Sequence, residues 1–233
     1  MPPRRRSALL AKLSRDVAGA SQEEILTELR RVILSGDAPP GTPIPLGDVA
    51  DVFGVSRIPV RESLKTLIGE NLVSHRPNLG YTVAQLTSQE LREMYIVREV
   101  LENAALAVAA ESATDGERRR AEQIERDLRS SIADDDPQRY HRLSREFHVA
   151  LTAPSRMYRL LHMLDVAWNV TEPVQPMVHV AGTDRAALND DHSVMVRAFV
   201  DRDSAVLLAA AGHHNERLNH VIATLPAGSG LLA

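Results

Sequence analysis

Apolar positions recur along this chain at two periods, and the changes between them divide it. From Ser21, Ile25, Leu29, Val32 and Ile33 return at helical spacing, and Ser21 with Glu24 makes the Ser-x-x-Glu capping box that starts a helix. Gly36 closes the segment. Residues 36–45, GDAPPGTPIP, hold two glycines and four prolines and read as a stiff loop. A short helix follows, with Leu46, Val49, Ala50 and Phe53 as its buried stripe. Gly54 permits a tight turn, and Ser56 is placed to cap a third helix in which Val60, Leu64, Leu67 and Ile68 face inward. Arg57, Arg61 and Lys65 recur every four residues on its other side.

After Asn71 the pattern becomes that of strands. LVSHRPNLGYTVAQL puts β-type residues on both sides of Pro77-Asn78-Leu79-Gly80, the signature of a two-stranded hairpin. Beyond it the helical period predicts helices over 88–113, 115–133, 136–152, 155–170, 184–201 and 203–224, interrupted at 171–182. The expected architecture is mainly α: a winged helix-turn-helix at the N-terminus and an all-helical bundle at the C-terminus. Residues 1–20 read as a basic N-terminal arm or short irregular helix, 21–85 as the winged unit, 86–225 as an effector-binding and dimerisation domain, and 226–233 as a flexible tail.

Charge and histidine sharpen this division. The net charge is −4, yet residues 1–85 carry 11 Lys and Arg against 9 Asp and Glu, while residues 86–233 carry 16 against 22. The first part can approach phosphate and the second repels it. His75 stands alone in the first part, and the other eight histidines lie beyond residue 140. No cysteine is present, which excludes disulfides and thiol nucleophiles and fits a reducing cytoplasm. The longest apolar run, Ala104 to Ala110, is far short of the ~20 residues needed to cross a bilayer. GDAPPGT lacks the lysine of a phosphate-binding loop, and neither GxSxG nor GxGxxG occurs, so no enzyme is expected.

Three short helices and a hairpin place residues 56–69 in a DNA major groove with their N-terminal end toward base edges. Ser56 suits a phosphate oxygen, Arg57 and Arg61 can grip guanine O6 and N7 in pairs, and Lys65 is placed for phosphate. His75, Arg76, Asn78 and Gly80 form a hairpin tip able to reach the adjoining groove or backbone. VILSGDAPPGTPI and LGDVADVFGVSRIPVRESLKTLIGENLVSHRPNLGYTV resemble the DNA-binding domain of the GntR family of bacterial transcription regulators. SRIPVRESL lies close to that family's SRxPVREAL, over about residues 22–84. The resemblance implies operator contacts from Ser56, Arg57, Arg61 and Gly80. Gly47 stands where many members carry a polar or basic residue, and Leu79 where an arginine is common.

His148 has Ser144 one turn before it on the same helical face. His192 and His214 lie about 15 and 18 Å from the turn joining their helices, so antiparallel packing would bring the rings level. Three neutral imidazoles with an open position suit zinc or a similar divalent metal. His213 competes with His214 for the inward position, Arg98 can pair with Glu102, and Trp168 and Met163 read as core. This half resembles the FCD domain of the FadR subfamily: YIVREVLENAALAVAA carries its Arg-x-x-x-Glu at Arg98 and Glu102, REFHVAL its Phe-His element, and DHSVMVRAFVDRDSA with His214 its closing pair. The resemblance implies metal ligation by His148, His192 and His214 and effector contact by Arg98. Ser144 replaces a ligand aspartate, so either metal affinity falls or water and effector fill that place, and Arg156 replaces an asparagine. A cytoplasmic homodimeric repressor is expected, released from a palindromic double-stranded operator by a small carboxylate metabolite, with no membrane partner. A metal-free sensor of acyl thioesters and a histidine-metal hydrolase are the alternatives.

Overall fold

The computed structural model describes residues 7–14, 19–225 and 230–232. They divide into two compact units: the described residues up to Thr87 with 169–174 and 230–232, and residues 88–168 with the described part of 175–229. The basic run Arg4–Arg6 and most of the tail at 226–233 lie outside the described residues.

In the first unit, α1 (Ala8–Lys12) is a short helix within the expected arm or irregular helix, and it buries Leu9 completely. Helix α2 (Gln22–Leu34) opens on the expected capping box, with Ser21 N–H donating to Glu24 Oε2 at 2.8 Å and Glu24 N–H to Ser21 Oγ at 3.3 Å. Helices α3 (Leu46–Phe53) and α4 (Arg57–Gly69) follow, joined through Gly54. That glycine has φ 62°, a left-handed conformation that lets the chain reverse within a few residues. Phe53, Val60, Leu64 and Leu67 join Ile25, Leu29, Val32 and Ile33 in one core cluster. Each such side chain contributes about 1.5–3 kcal/mol on burial.

The hairpin is β2 (Val73–Arg76) and β3 (Gly80–Val83), antiparallel, with Val73 opposite Val83 and Arg76 opposite Gly80. The loop expected at 36–45 is not wholly loop. Pro43 and Ile44 form β1, antiparallel to β3 and opposite Thr82 and Tyr81, so the wing has three strands in the order β1-β3-β2. Proline lacks an N–H, which suits the edge position that Pro43 takes.

The second unit is all helix: α5 (Ser88–Ser112), α6 (Asp115–Ala133), α7 (Pro137–Thr152), α8 (Tyr158–Thr171, its last three residues falling with the first unit), α9 (Pro176–His179), α10 (Gly182–Val200) and α11 (Ser204–Ala223). Thr114 and Glu117 cap α6 reciprocally, while Asp136 and Asp203 cap α7 and α11. Helices α10 and α11 pack side by side, α11 packs on α5, and α6 packs on both α7 and α10. Helix α7 also packs on α5, so the middles of α5, α7, α10 and α11 surround one interior. Trp168 is core as expected, whereas Met163 is 60% exposed, because α8 buries Leu164, Ala167 and Trp168 on a different face. Arg156 ends a short 3-10 turn (Ala153–Ser155) at φ 56°, a left-handed position that asparagine adopts more readily, and its side chain reaches Glu117 at 2.9 Å. No helix among the described residues is long and apolar enough to cross a membrane.

Candidate DNA-reading surface and candidate metal centre

On α4 the inward positions are Val60, Ser63, Leu64 and Leu67, which leaves Arg57, Arg61 and Lys65 exposed on the opposite side. Ser63 is held inward by donating its hydroxyl to the Gln22 carbonyl at 3.1 Å. Among the described residues Arg57, Arg61 and Arg76 make no side-chain hydrogen bond or ion pair, and all three are exposed. Lys65 differs, since its Nζ lies 2.9 Å from Glu62 Oε1 one turn earlier. That pair is exposed and worth only a few tenths of a kcal/mol, about what one phosphate contact outcompetes.

Ser56 departs from expectation. It stands at the N-cap of α4 with extended backbone, but its hydroxyl makes no capping hydrogen bond. An exposed hydroxyl and the open amides of the first turn together face outward, the arrangement that receives a phosphate oxygen. Gly80 has φ 85° beside the hairpin tip, and a Cβ there would meet nothing within 4 Å, so its value lies in backbone conformation rather than in space.

Gly47 is the reverse case. Its backbone is ordinary helix, yet a Cβ would come 3.3 Å from Nη2 of Arg57 and 3.6 Å from its Nε. The missing side chain leaves room for the Arg57 guanidinium to lie against the first turn of α3. Sequence reasoning also passed over Ile58, 66% exposed beside Arg57, an apolar group of the kind that packs on a thymine methyl. Its place just after Arg57, outside the buried stripe, was the available signal.

The histidines are buried where the arginines are bare. His148 on α7, His192 on α10 and His214 on α11 are 3%, 0% and 2% exposed. Their ring centroids lie 5.2 Å (148–192), 5.3 Å (148–214) and 4.6 Å (192–214) apart, and one nitrogen from each falls within 4.8 Å of the others. His213 is turned outward with 63% of its side chain exposed, so His214 takes the inward position. Ser144 is buried one turn before His148, with a neutral hydroxyl where the resemblance implies a carboxylate.

Burial holds the His192 and His214 rings in the neutral form. Burial pushes the His192 pKa well below its ordinary value, with the neighbouring His214 and His148 rings adding to the effect. Burial and His148 likewise lower His214 to about 3, against the opposing pull of Glu102. Neutral imidazole is the form that coordinates a metal. Neither ring nitrogen of His192 has a hydrogen-bond partner, and Nδ1 of His214 also lacks one. A buried polar atom without a partner costs about 1–3 kcal/mol, so these atoms mark a place built for something else. Three imidazole nitrogens are a donor set that zinc and similar divalent ions accept, and the site fits such an ion.

Beside the rings lies a charged pair on α5. Glu102 Oε2 sits 2.9 Å from His148 Nδ1, and its carboxyl titrates at about 2. Burial alone would raise that value; the attraction and hydrogen bond of His148, with Arg98 and His214, reverse it. Arg98 is 4% exposed, with its guanidinium 3.1 Å from the Trp168 ring centroid and 4.5 Å from that of Tyr95. Its Nε is 3.7 Å from Glu102 Oε1, and neither atom has a hydrogen-bond partner. The sequence marked Glu102 only as a partner for Arg98; its contact with His148 had no signal, because the two residues lie on separate helices.

A winged helix-turn-helix whose helix α4 carries exposed arginines, followed by an all-helical domain, is the build of a DNA-binding transcription regulator. Residues 21–83 match the profile of bacterial regulatory proteins of the gntR family, and residues 93–217 match the FCD domain. The chain therefore belongs to the GntR family, in the group whose C-terminal half is an FCD domain. It is 27% identical over 214 residues to the HTH-type transcriptional regulator YdhC of Bacillus subtilis (strain 168), spanning 85% of this chain and 91% of that one. The gluconate operon transcriptional repressor of the same organism is 26% identical over 198 residues, spanning 81% and 79%. Among solved structures, Escherichia coli McbR/YncC superposes with a TM-score of 0.75 at 20% identity, covering 86% of this chain and 96% of that one. A GntR-type protein of Rhodococcus sp. RHA1 gives 0.76 at 22% identity with the same coverage. At these identities the structural likeness concerns the fold.

Proposed function

We propose that this regulator is a homodimeric repressor whose grip on a palindromic operator is loosened by a small carboxylate held at a histidine-bound divalent metal, zinc being the best match to the donors. The observation that carries this reading is His192: fully buried, neutral, and without a partner for either ring nitrogen, between two other buried imidazoles. His148, His192 and His214 would hold the ion. When bound, the metal supplies positive charge and an open coordination position for an anion. Arg98 adds a guanidinium stacked on Trp168, with a buried N–H that no group among the described residues satisfies, the feature a carboxylate answers. Ser144 offers a hydroxyl beside the same position. The partnerless ring nitrogens favour metal over the metal-free acyl-thioester alternative.

On the DNA side the reading assigns Arg57 and Arg61 to base edges. Ser56, Lys65 and Arg76 go to phosphates, and Gly80 to the close approach of the wing. Two copies are needed because successive major-groove faces lie about 34 Å apart, beyond the reach of one reading helix. Helix α5 supports this: Ile96, Val97, Val100 and Val108 are 55%, 43%, 64% and 41% exposed, with Ala104 and Ala107 between them on the same open face. A second copy covering that face would remove the stripe from water. An effector-driven shift between dimer arrangements would then separate the reading helices from their half-sites.

The deciding experiment is a gel shift on the DNA upstream of the protein's own gene, with metal analysis of the same preparation. About one divalent ion per chain is expected, lost in His148→Ala and His192→Ala, and a panel of small mono-, di- and tricarboxylates should contain one that releases the operator. Operator binding indifferent to metal removal and to every carboxylate would leave the DNA-binding regulator standing and remove its proposed sensor.

A further inference from the structure

We propose that Glu102 is a positioning residue of the metal centre: its carboxylate fixes the His148 ring with Nδ1 protonated, so that Nε2 is the nitrogen presented to the ion. The inference rests on the metal reading above and adds to it the ligand atom, the tautomer and the group that sets both.

The geometry is specific. Glu102 and Arg98 stand four residues apart on α5, the spacing at which a carboxylate and a guanidinium ordinarily bond. Here they form an ion pair without a hydrogen bond: Oε1 and Nε remain 3.7 Å apart and each lacks a hydrogen-bond partner. The other carboxylate oxygen instead meets Nδ1 of His148, 46 residues further along the chain, at 2.9 Å in a fully buried setting. A carboxyl oxygen this close to a ring nitrogen is placed to accept its hydrogen, which puts that hydrogen on Nδ1. In a neutral imidazole the lone pair is then on Nε2, and rotation of the ring is blocked by the bond on its other side.

The remaining two rings have no such anchor. Both nitrogens of His192 lack partners. Nδ1 of His214 lies 3.9 Å from Asp191 Oδ2, too far for a hydrogen bond, and that oxygen already accepts from Arg217 Nε at 2.8 Å. One ligand of the three is therefore oriented in advance and two can adjust to the ion. Glu102 also brings a negative charge into contact with a trio that has a hydroxyl, at Ser144, where the resemblance implies an aspartate. An outer carboxylate partly neutralises a dication held by neutral rings while leaving the fourth position free for an anionic guest.

Two measurements test this. In chelator-treated wild-type protein labelled with 15N-histidine, two-dimensional NMR at neutral pH should show His148 as the Nδ1–H tautomer, a signature that mere packing would not impose. Glu102→Gln keeps the shape and an acceptor oxygen but removes the charge, and zinc affinity measured by competition with a chromophoric chelator should fall roughly 10–100-fold. Glu102→Asp, which keeps the charge but draws it back, should recover part of that loss. His148 protonated at Nε2 in the wild type would overturn the proposal, and so would zinc affinity within twofold of wild type in folded Glu102→Gln. If wild-type protein binds no zinc, the metal reading is what has failed, and the nitrogen shifts alone decide whether Glu102 sets the tautomer.

Discussion

Arg57 and Arg98 are the same side chain in opposite settings. Arg57, like Arg61 beside it, is exposed and makes no side-chain hydrogen bond or ion pair among the described residues. Arg98 is buried, stacked on Trp168 and Tyr95, with an unsatisfied Nε–H. The exposed pair keeps its hydration, and its field reaches about one Debye length, roughly 8–10 Å in physiological salt. The buried one has already lost its water and interacts strongly with whatever charge enters beside it. The winged unit therefore carries its exposed arginines on a face that its core does not need. The FCD unit carries its candidate site inside its core, where ligand binding and stability are coupled.

That contrast can be broken first at the arginines. Arg57→Ala or Arg61→Ala should each weaken operator binding by about 1–3 kcal/mol, roughly 5–150-fold, with the thermal midpoint unchanged. Fluorescence anisotropy at fixed salt together with a melting curve checks both halves; wild-type affinity in either variant would withdraw the reading-helix assignment. In the core the expectation inverts. His192→Leu should abolish zinc binding yet stabilise the metal-free protein by about 1–3 kcal/mol, because two partnerless polar atoms leave the interior. Denaturant unfolding in chelator decides it, and a clear loss of stability would mean that the ring is a structural group.

Acid sharpens the same division. His214 titrates at about 3 and His192 well below its ordinary value, against 6.5 for free histidine. The unfolded chain thus binds more protons, and the stabilising contribution is complete above pH 6.5 and drains away as pH falls. Metal-free protein should lose up to about 1.4 kcal/mol per pH unit for each such group, beginning below pH 6.5. Glu102, at about 2 against 4.5, adds a loss of the same sign below pH 4.5. A midpoint flat from pH 7 to 5 in metal-free protein would contradict this. The smallest effect is expected at Gly47→Ala, whose new Cβ at 3.3 Å shifts the Arg57 guanidinium by a few tenths of an ångström. Operator affinity should change only a few-fold, and the change should vanish in an Arg57→Ala background.

Much of this molecule is legible in short stretches of chain. The capping box at Ser21, the Pro-Asn-Leu-Gly hairpin tip and the long helical periods each depend on atoms a few residues apart, and those segments fold as the pattern predicts. The departures share a cause. Pro43 and Ile44 read as loop because their strand partners, Thr82 and Tyr81, lie nearly forty residues later. Ser56 read as a helix cap from residue type, but its hydroxyl makes no such bond.

Sequence alone therefore determined the order of elements, the two-part organisation, the outward arginines and the family. Helix spacing, turn chemistry and motif are local or nearly local properties. Tertiary packing decided that Glu102 hydrogen-bonds His148 while keeping only a 3.7 Å ion pair with Arg98, and that Gly47 makes room for Arg57; the inward His214 was already the position its interval favoured. These are choices among partners brought together from distant positions, and burial raises the energetic stakes of the choice at Glu102 by removing the water that would otherwise serve as the partner.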